Sequence, residues 1–151
     1  TGGGPGIMEA ANRGAYEAGG KSIGLNIVLP HEQEPNEYIN PELCFQFHYS
    51  AMRNMHYLMR AMALVALPGG YGPMDELFET LTVIQTKKIK PLPVILFGKE
   101  FWNTAVNFDF LVSEGVIAPE DKNLFYSVEK ADEAGKIIRE FYYNNKTEAA
   151  P

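Results

Sequence analysis

Two glycine-rich stretches, one arginine and one glutamate are the residues here whose types and spacing suit chemistry. The first stretch, Gly2-Gly3-Gly4-Pro5-Gly6-Ile7-Met8, runs into a helical pattern. The second, Leu67-Pro68-Gly69-Gly70-Tyr71-Gly72, ends an apolar run and leads through Pro73 into another helical pattern. Glycine lets backbone N–H groups approach an anion closely, and a helix N-terminus adds partial positive charge. One such turn alone is as often only a turn. Two in one small chain favour phosphate or nucleotide binding over two purely structural turns. Neither is a P-loop, because no Gly-Lys-Ser/Thr follows. Glu76 comes soon after Gly72, where a carboxylate either faces the crevice or simply stabilises the helix dipole; the residues alone leave the two readings equal. Asp75 reads as the latter. Arg53 can grip phosphate or carboxylate bidentately, although a lone helical arginine is more often a solvated surface residue. Arg60 lies on the same helical face and has the stronger surface reading. Tyr71, inside the second loop, can stack or hydrogen-bond near a ligand.

Elements must hold these loops in place. Ile7, Ala10, Ala11, Gly14, Ala15 and Ala18 repeat at helical spacing, predicting a helix over 7–19 whose small-residue face packs on a sheet. Short apolar runs predict strands at 22–28, 43–49, 63–67, 93–97 and 124–128. Helices are expected at 51–61 with Ser50 as cap, from Pro73 in a first turn to about Thr86, around 100–113, and over 132–143. Strands that alternate with helices and are themselves continuously apolar argue for a parallel sheet covered on both faces, with ligands beyond the strands' carboxyl ends. The expected fold is therefore α/β and Rossmann-like, as a single domain over 1–143 with a flexible tail at 144–151. The polar stretch 30–41 is long for a connection and reads as functional. A glycine turn of the first kind normally follows a strand, so further strands are expected before Thr1.

Other chemistries find little support. The net charge of −6 and pI near 5.1 come with no basic cluster beyond Lys87, Lys88 and Lys90, which suit a helix C-terminus better than a nucleic acid. Cys44 is the only cysteine, excluding an intrachain disulfide and fitting a reducing cytoplasm; in a strand it reads as buried filler. No apolar run approaches the roughly 20 residues of a membrane span, and no signal peptide is visible. His31, His48 and His56 lack metal-ligand spacing with each other or with Cys44, so no metal is assigned. No Gly-x-Ser-x-Gly elbow or Cys–His pair supports covalent catalysis. Met52, Met55, Leu58, Met59 and Met62 form an apolar stripe read as core, with an interface the alternative. Phe101 and Trp102 read as packing residues.

Pro68-Gly69-Gly70-Tyr71-Gly72-Pro73-Met74-Asp75-Glu76, with Arg53 upstream of Leu67, resembles the Pro-Gly-Gly-x-Gly-Thr-x-x-Glu motif and preceding arginine of the LOG ("Lonely Guy") family. The opening glycines are similar to that family's other glycine stretch. Residues 52–85 look most like its bacterial branch labelled "possible lysine decarboxylase", and the resemblance extends over nearly all of 1–140. It implies a Rossmann-like domain that hydrolyses the N-glycosidic bond of nucleoside 5′-monophosphates, releasing a free base and ribose 5-phosphate. Known members act on cytokinin ribotides, AMP or other purine nucleotides, need no cofactor and are at least dimeric. The resemblance makes Arg53 and Glu76 the catalytic pair. It has Gly69, Gly70, Tyr71, Gly72 and Pro73 line the phosphate site and Gly3 and Gly4 border the same pocket. This sequence departs from the motif twice: Pro73 replaces threonine, and Asn54 replaces the usual lysine after the arginine. The departures keep a second reading open, nucleotide binding without turnover. A decarboxylase using pyridoxal phosphate would need a Schiff-base lysine, and nothing in the sequence identifies one.

Overall fold

A computed structural model describes residues 1–28 and 34–148, with side chains through Asn144. His31 and the start of the polar 30–41 stretch lie outside the described residues, as does the end of the expected tail at 149–151. The chain forms two compact units, Thr1–Arg60 and Ala61–Pro151.

The first unit contains α1 (Ile7–Glu17), β1 (Gly24–Ile27), a 3₁₀ turn (Pro41–Leu43), β2 (Cys44–Phe47) and α2 (Ser50–Arg60). β1 and β2 pair in parallel, with Gly24 opposite Cys44 and Ile27 opposite Phe47. Thr1 extends this ladder: its backbone N donates to Ile23 O, and Leu25 N donates to Thr1 O. α2 begins at Ser50, so Ser50 is a first-turn residue rather than the cap. The small-residue face expected to bury α1 does not do so. Ile7, Ala10, Ala11, Gly14 and Ala18 are exposed, and the buried residue of this helix is Asn12. A polar side chain tolerates burial when its hydrogen bonds are met. Asn12 meets them, accepting from Thr1 Oγ1 at 2.6 Å and donating to Ser22 Oγ at 2.7 Å. On α2 the methionine stripe likewise faces outward, with Met52, Met55 and Met59 exposed, while Asn54 is only 2% exposed. The core reading of that stripe is thus overturned, since α2 places Asn54 inward instead. Met62, just past this helix, is also exposed. Cys44 is half-buried rather than buried.

The second unit is a three-stranded parallel sheet in the order β3 (Leu64–Ala66), β4 (Val94–Phe97), β5 (Phe125–Val128). α3 (Tyr71–Gln85) connects β3 to β4, and α4 (Lys99–Ala105) with α5 (Phe108–Ser113) connect β4 to β5. α6 (Ala131–Glu148) closes the unit. Strand alternation divides the core. Ala66, Val94 and Leu96 pack with Leu77, Ile84, Leu92 and Trp102 on one face, and Ile95 and Val128 pack with Ala134 on the other. The sheet is thereby covered by α3 and α4 on one side and α6 on the other, the doubly covered parallel arrangement that continuous apolar strands require. Burying a side chain such as Leu77 or Ile95 contributes about 2 kcal/mol. Trp102 is 1% exposed, and its indole N–H donates to Ala66 O at 3.2 Å, tying α4 to the end of β3. The helix expected over 100–113 breaks after Ala105 because the Asn107 side chain accepts from Phe110 N at 2.9 Å and caps a new helix there. α6 runs five residues beyond Tyr143, to Glu148. Among the described residues no helix is long and apolar enough to cross a membrane.

Candidate active site

The first glycine loop is held by a connected set of polar side chains that the sequence reading did not single out. Asn36 donates its side-chain amide to Gly3 O, Gly4 O and Asn12 Oδ1, each at 3.1 Å, while its backbone N–H reaches Gly3 O at 2.9 Å. Gly3 N donates to Thr1 Oγ1 at 3.0 Å. Ser22 N donates to Asn40 Oδ1 at 2.8 Å, and Asn40 N returns to Ser22 O. Gly3 has φ +78°, the left-handed region, and a Cβ there would stand 2.8 Å from Ile39 Cδ1. Only glycine suits this position. The sole sequence hint of the network was an asparagine within a run of small helical residues; its partners are too far apart in the chain to suggest one another.

Arg53, half-buried on α2, belongs to the same unit. A Cβ at Gly2 would lie 3.6 Å from Arg53 Nη1, so the guanidinium stands beside the first glycine loop. The guanidinium also lies over the Tyr57 ring, 5.8 Å from its centroid, within cation–π range. Arg60 instead lies at the exposed end of α2, with its Nη1 3.0 Å from His56 Nδ1.

In the second unit, Pro68, Gly69 and Gly70 follow the carboxyl end of β3, and Gly70 is the N-cap of α3. Met74 N donates to Gly70 O at 3.3 Å, which makes Tyr71, Gly72 and Pro73 the first turn, whose N–H groups have no acceptor within the helix. Pro73 has no N–H to offer. Its ring occupies the space above Gly69, where a Cβ would fall 2.5 Å from Pro73 Cγ. Tyr71 is 94% exposed. Glu76 lies in the second turn, half-buried beside fully buried Leu77. Its own backbone carbonyl accepts from Thr80 Oγ1 at 2.6 Å. Gly3, Gly4 and Arg53 are thus gathered in one unit, and Gly69 to Pro73 with Glu76 in the other. Among the described residues, no group of three His, Cys, Asp or Glu side chains is placed to hold a metal ion.

The chain is of the parallel α/β class, with glycine-rich turns opening α1 and α3. The chain belongs to the family described as "Possible lysine decarboxylase", whose model matches residues 8–138. It is 32% identical over 147 residues to cytokinin riboside 5′-monophosphate phosphoribohydrolase LOG1 of Arabidopsis thaliana, covering 93% of this chain and 66% of that protein. It is 30% identical to LOG3 of the same plant, covering 93% and 65%. With the LOG protein of Oryza sativa subsp. japonica the identity is 31%, covering 93% and 58%. The chain therefore spans somewhat less than two thirds of the length of these relatives. The X-ray structure of TM1055, a structural-genomics target, superposes with a TM-score of 0.61 at 23% identity, covering 92% of this chain and 75% of that one, and shares its fold.

Proposed function

We propose that this chain hydrolyses the N-glycosidic bond of a nucleoside 5′-monophosphate, of the AMP or cytokinin ribotide type, giving the free base and ribose 5-phosphate. One observation carries the reading. The Pro68–Glu76 motif opens a helix at the carboxyl end of a parallel strand, in a chain about 30% identical to phosphoribohydrolases. The first turn of α3 presents backbone N–H groups of Tyr71 and Gly72, suited to a phosphate. In the reaction the C1′–N bond breaks and the base leaves with the bonding pair; a water oxygen bonds to C1′, and the proton that water loses balances the one the base gains. Positive charge builds on the ribosyl group as that bond lengthens. Glu76 stabilises this charge and orients the water. Arg53 holds the substrate through phosphate or hydroxyl oxygens. Gly3 and Gly4 border the substrate.

A panel of nucleoside monophosphates, with free base and ribose 5-phosphate followed by chromatography, tests the reading. Release of both products from one nucleotide is expected. Glu76→Gln is expected to lose at least a hundredfold in kcat while binding the same nucleotide within a few-fold. Full turnover in that variant excludes the role given to Glu76. Pro73 favours a second reading, binding without turnover, because its ring fills the space over Gly69 and it withholds one donor. Thermal stabilisation by a nucleotide with no base released supports this second reading.

A further inference from the structure

The clamp on the first glycine loop turns a backbone donor in a defined direction. A trans peptide is planar, with its carbonyl and its N–H on opposite sides. The Gly3 carbonyl accepts from both Asn36 N and Asn36 Nδ2, which fixes the Gly3–Gly4 peptide and turns the Gly4 N–H away from Asn36. The Gly4 carbonyl is taken by the same amide, and the next residue, Pro5, has no N–H. The Gly3 N–H is already given to Thr1 Oγ1. Gly4 is buried, and among the described residues its N–H makes no hydrogen bond. A buried N–H without an acceptor is costly and rare in folded proteins. Among the described residues the Gly4 N–H is therefore a buried donor left without an acceptor, on a peptide held by Asn36.

We propose that Asn36 is a positioning residue for substrate. Its amide orients the Gly3–Gly4 peptide so that the Gly4 N–H donates to an oxygen of the bound nucleotide. The inference rests on the nucleotide reading above and goes beyond it by assigning a role to the 34–40 segment. That segment sets the donor geometry of the glycine loop without its own side chain reaching the ligand. Asn36 is suited to this because one amide group serves three acceptors while its backbone N–H serves Gly3 O again. Aspartate at this position would aim carboxylate oxygens at the same three acceptors and would reverse the effect.

The wild type, Asn36→Ala and Asn36→Asp are titrated with AMP, GMP, IMP, CMP and UMP and assayed for released base. Wild-type protein carrying ¹⁵N-glycine is followed by amide NMR with the nucleotide that binds best. For Asn36→Ala, Kd and KM are expected to rise about tenfold or more, as for one lost hydrogen bond to a charged group, with kcat within about threefold of the wild type. Asn36→Asp is expected to be weaker still. In the wild type the Gly4 amide is expected to shift at saturation while the Gly3 amide stays. Wild-type affinity in a folded Asn36→Ala overturns the positioning role and leaves the nucleotide reading standing. An unmoved Gly4 amide at saturation overturns it even if both variants fail to fold. If the wild type binds none of the five nucleotides, the functional reading falls and this inference falls with it.

Discussion

Replacing Pro73 by threonine restores a donor to the first turn of α3, and the structure sets the size of the effect. Gly70 is the N-cap and Met74 N is the first amide to close an intrahelical bond, so residue 73 is the third position of the helix. An N–H there has no acceptor within the helix and points along the axis toward the loop. A hydrogen bond to a charged group contributes about 1.5–3 kcal/mol, and each 1.4 kcal/mol is a factor of about ten. Pro73→Thr is therefore expected to raise affinity for a nucleoside monophosphate, or its kcat/KM, by about tenfold to a hundredfold. Stability moves the other way. Losing the proline's restriction of the unfolded chain costs about 0.4–1 kcal/mol, and its ring also leaves Gly69, so Tm should fall by roughly 2–4 °C. Calorimetric titration gives Kd and chromatographic base release gives kcat/KM, each measured with the monophosphate and with the matching nucleoside. The gain should vanish for the nucleoside, which has no phosphate to accept the new bond. An unchanged monophosphate, or an equal gain on the nucleoside, would refute the assignment of this turn to phosphate.

Two further outcomes test the scaffold. Gly3→Ala places a Cβ at φ +78° and 2.8 Å from Ile39 Cδ1. Left-handed strain of about 1–2 kcal/mol plus overpacking of about 1–3 kcal/mol should lower Tm by roughly 5–15 °C. Gly70→Ala meets no neighbouring atom and should change far less; equal losses in the two variants would contradict the close approach at Gly3. Glu133 accepts from the backbone N–H groups of Glu129 and Lys130 at the start of α6. The Glu129 bond in particular holds its carboxyl below the usual carboxylate range. A lowered folded pKa stabilises above the unfolded value and loses that contribution as pH falls through the folded one. Glu133→Gln should therefore lower Tm at neutral pH, with the gap to wild type closing below about pH 5; a gap that widens in acid would reverse the sign and reject the cap.

The alternation of short apolar runs with helical patterns was enough to read a parallel α/β fold from the sequence, because burial on both faces leaves continuous apolar strands such as Val94–Phe97. The Pro68–Glu76 motif was equally legible, since glycine at a strand-to-helix turn and proline in a first helical turn each carry a local backbone reason. Periodicity failed where polar contacts set the orientation of a helix. α1 turns Asn12 inward rather than its alanines because Thr1, Ser22 and Asn36 satisfy that amide. α2 buries Asn54 and leaves its methionines outside. No window of sequence contains those partners together. The break between α4 and α5 was local in cause, a single Asn107 cap, yet the apolar pattern runs across it. Composition and local spacing thus decided which elements form and where the glycine turns lie. Tertiary structure alone decided which face of each helix is buried and which carbonyls Asn36 holds, because a hydrogen bond between residues far apart in the chain exists only once the backbone has brought them within about 3 Å.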